Sequence, residues 1–129
     1  MIRVEPVRSK RDRREFVELP FRLYRDDPNW VPPLRRDVHE LIDPDRHPFH
    51  LHATVELFLA RDDDRVVGRI AAIENRLHFE YHGDRTGFFG LFECERDSRI
   101  SRALFDAAAS WLRARDIETM RGPASFSLN

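Results

Sequence analysis

The residue types able to do chemistry fall in four places. His47, His50 and His52 crowd into six residues, the densest group of imidazoles in the chain. Zinc would need these rings to converge on one point, with outer-shell partners orienting each. Pro48 and Phe49 lie between them and no cysteine adjoins them, so the pattern predicts a packed loop and no metal centre. Asp62-Asp63-Asp64 carries the charge for calcium but lacks a ligand-bearing loop with a distal glutamate, and reads as a solvated hairpin turn. Cys94 stands alone, which excludes an intramolecular disulfide and a cysteine-rich zinc site. It has no histidine close in sequence to activate it, and no serine sits in a G-x-S-x-G turn, so nucleophilic catalysis has no support. The fourth place is the segment from Thr86 to Met120, which reads as strand, turn, helix, strand. A helix starting at the carboxyl end of a strand presents unpaired N–H groups and partial positive charge, a ready site for a pyrophosphate. Arg96, Arg99 and Arg102 add charge around that turn, and Gly90 leaves room for an extended ligand arm. The competing reading is an ordinary crossover with a solvated arginine face.

These groups need a scaffold, and the periodicities supply one. Ile2 to Val7 alternates apolar and polar residues, the mark of a short half-buried strand. Ser9 followed by Asp12 opens a helix through Phe16, Val17, Leu19, Phe21 and Tyr24, and Pro20 predicts a kink or two short helices. Asp27-Pro28-Asn29 is a turn, Pro32-Pro33 is extended, and a second helix runs from Leu34 to Ile42. Residues 54–61 and Arg65 to Glu74 form a strand pair around the aspartate turn, the second so continuously apolar that it belongs in mid-sheet. Residues 77–85 read as a polar connection, and Thr86 to Cys94 as a long strand whose Gly87 and Gly90 mark a bulge or close approach. Ile100, Ala103, Leu104, Ala107, Ala108, Trp111 and Leu112 make one apolar stripe, capped by Asp97 or Ser98, with Arg113 and Arg115 at its negative end. Ile117 to Met120 starts a last strand. The order β-α-α-β-β-β-α-β predicts an α/β (α+β) fold with a mixed, mostly antiparallel sheet and flanking helices. Nothing follows to cover the last strand, so the expectation is a single domain over 1–129 whose C-terminal strands are missing, with an open edge able to pair with a second copy.

Composition narrows the function classes. With 129 residues there is room for one domain, and 41% apolar content including 14 aromatic residues is enough for a core. The 22 basic residues, 21 of them arginine, are balanced by 23 acidic ones, so no charge excess points to nucleic acid. No apolar run is long enough for a membrane span or a signal peptide, so a cytoplasmic protein without membrane or nucleic-acid partners is expected.

This order of elements resembles the first two-thirds of the GNAT superfamily of acyl-CoA-dependent N-acetyltransferases. More narrowly, Leu19 to Leu34 (LPFRLYRDDPNWVPPL), His47 to Ala60 (HPFHLHATVELFLA), Val67 to Asn75 (VGRIAAIEN), Gly87 to Glu93 (GFFGLFE) and Arg121 to Asn129 (RGPASFSLN) resemble an uncharacterised bacterial branch of it. The resemblance implies transfer of an acyl group from acetyl-CoA or another acyl-CoA to a small-molecule or peptide amine. It implies a pantetheine arm along Leu91, Phe92, Glu93 and Cys94, and a pyrophosphate at the turn through Ser98, Arg99, Ile100, Ser101 and Arg102. Neither glycine of the usual Q/R-x-x-G-x-G/A turn is present, and Arg99 and Arg102 would compensate by charge. Glu93 is the general-base candidate by resemblance, with a solvent-facing strand residue as the alternative, and Asn129 is a candidate ligand-orienting group. The second functional reading is a non-catalytic GNAT-like module that binds a partner or self-associates.

Overall fold

The computed structural model describes residues 1–124 and Phe126. Five strands, β1 (Ile2–Pro6), β2 (Ala53–Asp62), β3 (Arg65–Asn75), β4 (Thr86–Cys94) and β5 (Thr119–Arg121), lie side by side in sequence order. Every neighbouring pair is antiparallel except β4 and β5, which the crossover helix α4 (Ser98–Arg113) makes parallel. The expected mixed, mostly antiparallel sheet is therefore present, with β3 at its centre. The apolar run of β3 is buried because it faces helices on both sides. Ala71 and Ile73 pack with α1 (Lys10–Leu23), α2 (Arg35–Ile42) and the 3-10 turn Pro48–Leu51, whereas Val67, Ile70 and Ala72 pack with α4.

Helix α1 begins where Ser9 and Asp12 cap each other: Ser9 Oγ accepts from the Asp12 N–H at 3.0 Å and Asp12 Oδ2 accepts from the Ser9 N–H at 3.3 Å. It continues through Pro20 as one helix, where the sequence predicted a kink or two short helices. The physical reason lies across the core. Proline cannot donate to the carbonyl four residues back, which is Phe16, and Arg69 Nη1 donates to that oxygen instead at 2.6 Å. The Tyr24 N–H resumes the helical pattern on Pro20 O at 2.9 Å.

A second difference is α3 (Arg76–His82), where a polar connection was expected. Its start is capped by Asn75 Oδ1, which accepts from the His78 N–H at 3.2 Å, and its end by Gly83 at φ 67°. It buries no side chain, so no apolar stripe announced it. The sequence order thus gains one helix. The last strand is Thr119–Arg121, and among the described residues no strand pairs with its outer side.

The glycines of β4 serve packing. A Cβ on Gly87 would lie 2.6 Å from Leu112 Cδ2, so its absence lets α4 sit close on the sheet. A Cβ on Gly90 would lie 2.5 Å from the Ala124 carbonyl oxygen. The space expected for a ligand arm at Gly90 is therefore filled by the chain's own backbone, a correction to the sequence reading. Gly90→Ala should cost about 1–3 kcal/mol in chemical denaturation, because a backbone carbonyl cannot rotate out of the way as a side chain would. An unchanged denaturation midpoint would show that residues 122–124 do not need this seat.

Candidate functional site

The candidate site is the opening where β4 and β5 part. Their pairing ends at Phe88 and Arg121, and one further bond follows, from the Ala124 N–H to Phe89 O at 2.9 Å. Beyond it, the outer side of β4 has no strand partner among the described residues. On the inner side Arg69 pairs with Glu93 and Ala71 with Gly90, so Ile70 faces both Leu91 and Phe92. That is a β-bulge, with Leu91 in the left-handed region at φ 52°.

The bulge decides which side chains enter the site. Before it, Gly87 and Phe89 face α4, Phe89 meeting Phe105 with ring centroids 4.9 Å apart. Regular alternation would send residue 93 to the same face. With one extra residue the phase inverts: Phe92 takes the α4 face, 4.7 Å from the Phe105 ring, and Glu93 turns toward α1. The backbone phase changes too. The Glu95 N–H bonds Val67 O at 3.0 Å, so residues 95 and 93 face β3 while Phe92 and Cys94 present their N–H and C=O groups to the open side.

Glu93 is half-buried and accepts a hydrogen bond from the Tyr24 hydroxyl at 2.7 Å. Its second oxygen has no protein donor among the described residues. Tyr24 stands at the end of α1 beside Trp30, with ring centroids 5.4 Å apart, and Trp30 meets Phe21 edge-on at 5.2 Å. Below them Arg69, 6% exposed, donates from Nε to Leu91 O at 2.9 Å and stacks over the Phe16 ring at 4.8 Å. Burial pulls its guanidinium down to about 10, with Glu93 and Tyr24 opposing, so it stays charged at neutral pH. The hydrogen bond to Glu93, then burial, pushes the Tyr24 phenol up to about 12.

The turn after β4 is built differently from a bare anion site. Asp97, not Ser98, caps α4: its Oδ1 accepts from the Arg99 N–H at 2.9 Å, while Ile100 and Ser101 donate to Asp97 O at 3.0 and 3.3 Å. Arg99 folds back onto the same carboxylate, with Nη2 2.7 Å from Oδ2. The guanidinium of Arg99 first, and its N–H next, hold the Asp97 carboxyl below its ordinary range. Of the expected pyrophosphate contacts, Ser98 and Arg102 are exposed, Ser101 Oγ donates to Ser98 O at 3.2 Å, and the Ile100 side chain belongs to the core. Cys94 is half-buried, and burial pushes its thiol up, which agrees with an unreactive sulfur. Asn129 lies outside the described residues.

The histidine loop packs as expected. His47 Nδ1 accepts from the Phe49 N–H at 3.2 Å, and His50 Nε2 donates to Leu41 O at 2.8 Å. Sequence reasoning missed Tyr24, Trp30 and Arg69. The signal for Arg69 was present: an arginine within an otherwise apolar central strand must find buried acceptors. Tyr24 gave none, since its partner Glu93 is 69 residues away in the chain, and Trp30 joins the site through Tyr24.

The Tyr24–Glu93 bond makes a titration prediction. The folded phenol lies above its ordinary 10.0, so the stability this pair contributes is complete below about pH 10 and is lost as pH rises through about 12. In a Tyr81→Phe background, tyrosinate absorbance should rise near pH 12, and Glu93→Gln should bring it back toward 10. A free-phenol titration before the substitution would show that the bond does not form in solution.

No protein-family model matches the chain. The bacterial ceramide synthase of Caulobacter vibrioides is 39% identical over 127 residues, covering 98% of this chain and 33% of that protein. The chain spans about a third of the length of the curated relatives it matches. A tandem GNAT protein from the clavulanic acid biosynthesis pathway superposes with a TM-score of 0.72 at 19% identity, over 97% of this chain and 40% of that one. An acetyltransferase of Clostridium acetobutylicum, solved with acetyl-CoA, gives 0.64 at 15% identity, over 97% and 82% of the two chains. At such identities the structures establish the fold alone.

Proposed function

From the GNAT fold of this chain, we propose that it is the acyl-CoA-binding part of an N-acyltransferase, joining an acyl group to an amine. The observation that carries the reading is the outer side of β4, where Phe92 and Cys94 offer backbone groups along an edge without a strand partner among the described residues, beside the Glu93 carboxylate. An amide-bearing arm such as pantetheine pairs with such an edge as a strand would. The residues fit that arm, and Arg96, Arg99 and Arg102 supply charge for its phosphates. On this reading the outward Phe92 N–H would donate to the thioester oxygen as it gathers charge during attack. The amine attacks the thioester carbon, its proton passes to the free oxygen of Glu93 directly or through water, and the thiolate leaves with that carbonyl re-formed. Tyr24 holds the other oxygen of Glu93 and so fixes the carboxylate for this role.

For the acceptor, we take the amine of an apolar molecule. A ceramide is an N-acylated long-chain amine, which is the chemistry named for the Caulobacter relative. Trp30 packs beside Tyr24, and Val31 and Leu34, close to it in the chain, are exposed apolar side chains. Among the described residues no helix is long and apolar enough to cross a membrane. A cytoplasmic location, where acyl-CoA is available, is part of this reading.

One observation favours a second reading, a non-catalytic module that associates through the outer edge of β5: the Asp97 cap already uses the donors a pyrophosphate would need. The two readings separate in simple measurements. Acetyl-CoA at about 100 times its dissociation constant should stabilise a true binding site by about 2.7 kcal/mol in thermal unfolding. Asp97→Asn keeps the cap, removes its charge, and should tighten CoA binding about fivefold by calorimetry. Glu93→Gln should lower kcat toward a long-chain amine by about 10²–10⁴ while CoA affinity holds. No thermal shift at millimolar acetyl-CoA, together with a dimer by size-exclusion chromatography, would favour the second reading.

A further inference from the structure

We propose that Arg69 is a positioning residue for this site: it holds the Leu91 carbonyl turned out of the β3–β4 ladder and so fixes the bulge that brings Glu93 to Tyr24. The inference rests on the acyl-transfer reading for its functional consequence, though not for its geometry.

The argument starts from cost. A guanidinium buried in the middle of the central strand needs acceptors that no β-ladder already uses. Two such carbonyls exist, and each is free for a distinct reason. Phe16 O is free because residue 20 is a proline with no N–H to offer it. Leu91 O is free because the residue is at φ 52°, out of register with β3. A leucine in the left-handed region is strained by about 1–2 kcal/mol and has no polar side chain of its own to support it. The Arg69 Nε–H supplies that support at 2.9 Å.

The consequence is a phase choice. If Leu91 relaxed to an extended conformation, side chains beyond it would exchange faces, because strand side chains alternate with period two. Glu93 would then face the apolar layer of α4, and Phe92 would be carried toward Tyr24. The outward N–H of Phe92 would be replaced by that of its neighbour. Arg69 thus couples α1 to β4: the side of the site that carries Tyr24 and Trp30 is pinned to the strand that carries the base and the outward N–H.

The test uses three substitutions and two readouts that need no activity. Arg69→Met keeps length and apolar fit but has no donor. Arg69→Lys offers one donor point, which cannot bridge two carbonyls as the planar fork does. Pro20→Ala gives residue 20 an N–H that competes with Arg69 for Phe16 O. In amide NMR spectra Arg69→Met should move the Leu91 and Phe92 signals, and the Tyr24 phenol should titrate nearer 10 than 12. Arg69→Lys should fall between, and Pro20→Ala should move the same amides in the same direction by less. With acyl-CoA and an amine, kcat of Arg69→Met should drop about 10²-fold, with KM for acyl-CoA changed far less. A folded Arg69→Met with unmoved Phe92 amide and Tyr24 still near 12 would overturn the proposal. Should Arg69→Met fail to fold, Arg69→Lys and Pro20→Ala decide by the same signals. Absence of acyl transfer in the unsubstituted protein would remove the functional reading and leave the amide and phenol results to judge the positioning claim alone.

Discussion

A guanidinium carries five N–H donors and keeps its charge in a protein, so placing Arg69 inside the sheet obliges the surrounding backbone to answer it. The chain does so with two local departures from regular structure: a proline within α1 and a left-handed leucine within β4. Each alone would leave a carbonyl without its usual partner, and buried carbonyls without partners are costly. Together with Arg69 they satisfy one another, and among the described residues no buried side-chain nitrogen or oxygen lacks a partner. Pro20, Leu91 and Arg69 are thus one interaction seen from three sides.

The two faces of the sheet are built on different principles. On the α4 face, Gly87 and Gly68 bring the helix close: a Cβ at Gly68 would stand 2.7 Å from Leu104 Cδ1. That face is apolar and tightly interlocked, as expected of a layer whose task is rigidity. On the α1 face polar groups sit among apolar ones: Arg61 reaches Asp12 and Glu15 at 3.0 and 2.8 Å, and Arg69, Glu93 and Tyr24 follow toward the opening. The bulge lies where these two constructions meet. A rigid layer behind β4 lets the strand keep a strained residue in front.

Much of this architecture can be read from the residue order, and the exceptions share a cause. The central position of β3 follows from its nearly continuous apolar run, the start of α1 from Ser9 and Asp12, and α4 from a stripe without interruption. Local signals suffice there because the elements bury a periodic face. Helix α3 escapes because it buries no side chain fully, and Pro20 misleads because its effect is cancelled by Arg69, 49 residues away in the numbering of the chain. The same limit applies to the site. Glu93 is visible as a carboxylate on a strand, but its face depends on a bulge whose position is set by a long-range hydrogen bond. Gly90 could be singled out as a close approach, yet the approaching group is the Ala124 carbonyl, which no local pattern names.

The helix turn after β4 shows how the same physics can serve two ends. Free N–H groups at a helix start attract any oxyanion, and a carboxylate one residue upstream is always present at high local concentration. Asp97 therefore stabilises α4 whether or not a phosphate arrives, and Arg99 neutralises the charge that would otherwise repel one. A pyrophosphate binding here must take over that role by drawing Arg99 from Asp97, exchanging one charge-assisted pair for another. Only the difference between the two pairs would appear as affinity. In the glycine-rich form of this turn the donors stand open and the helix start is less well held. Here the helix is secured first. On the acyl-transfer reading, phosphate recognition would then fall to the arginine side chains, and the bulged strand would fix where the reacting end lies.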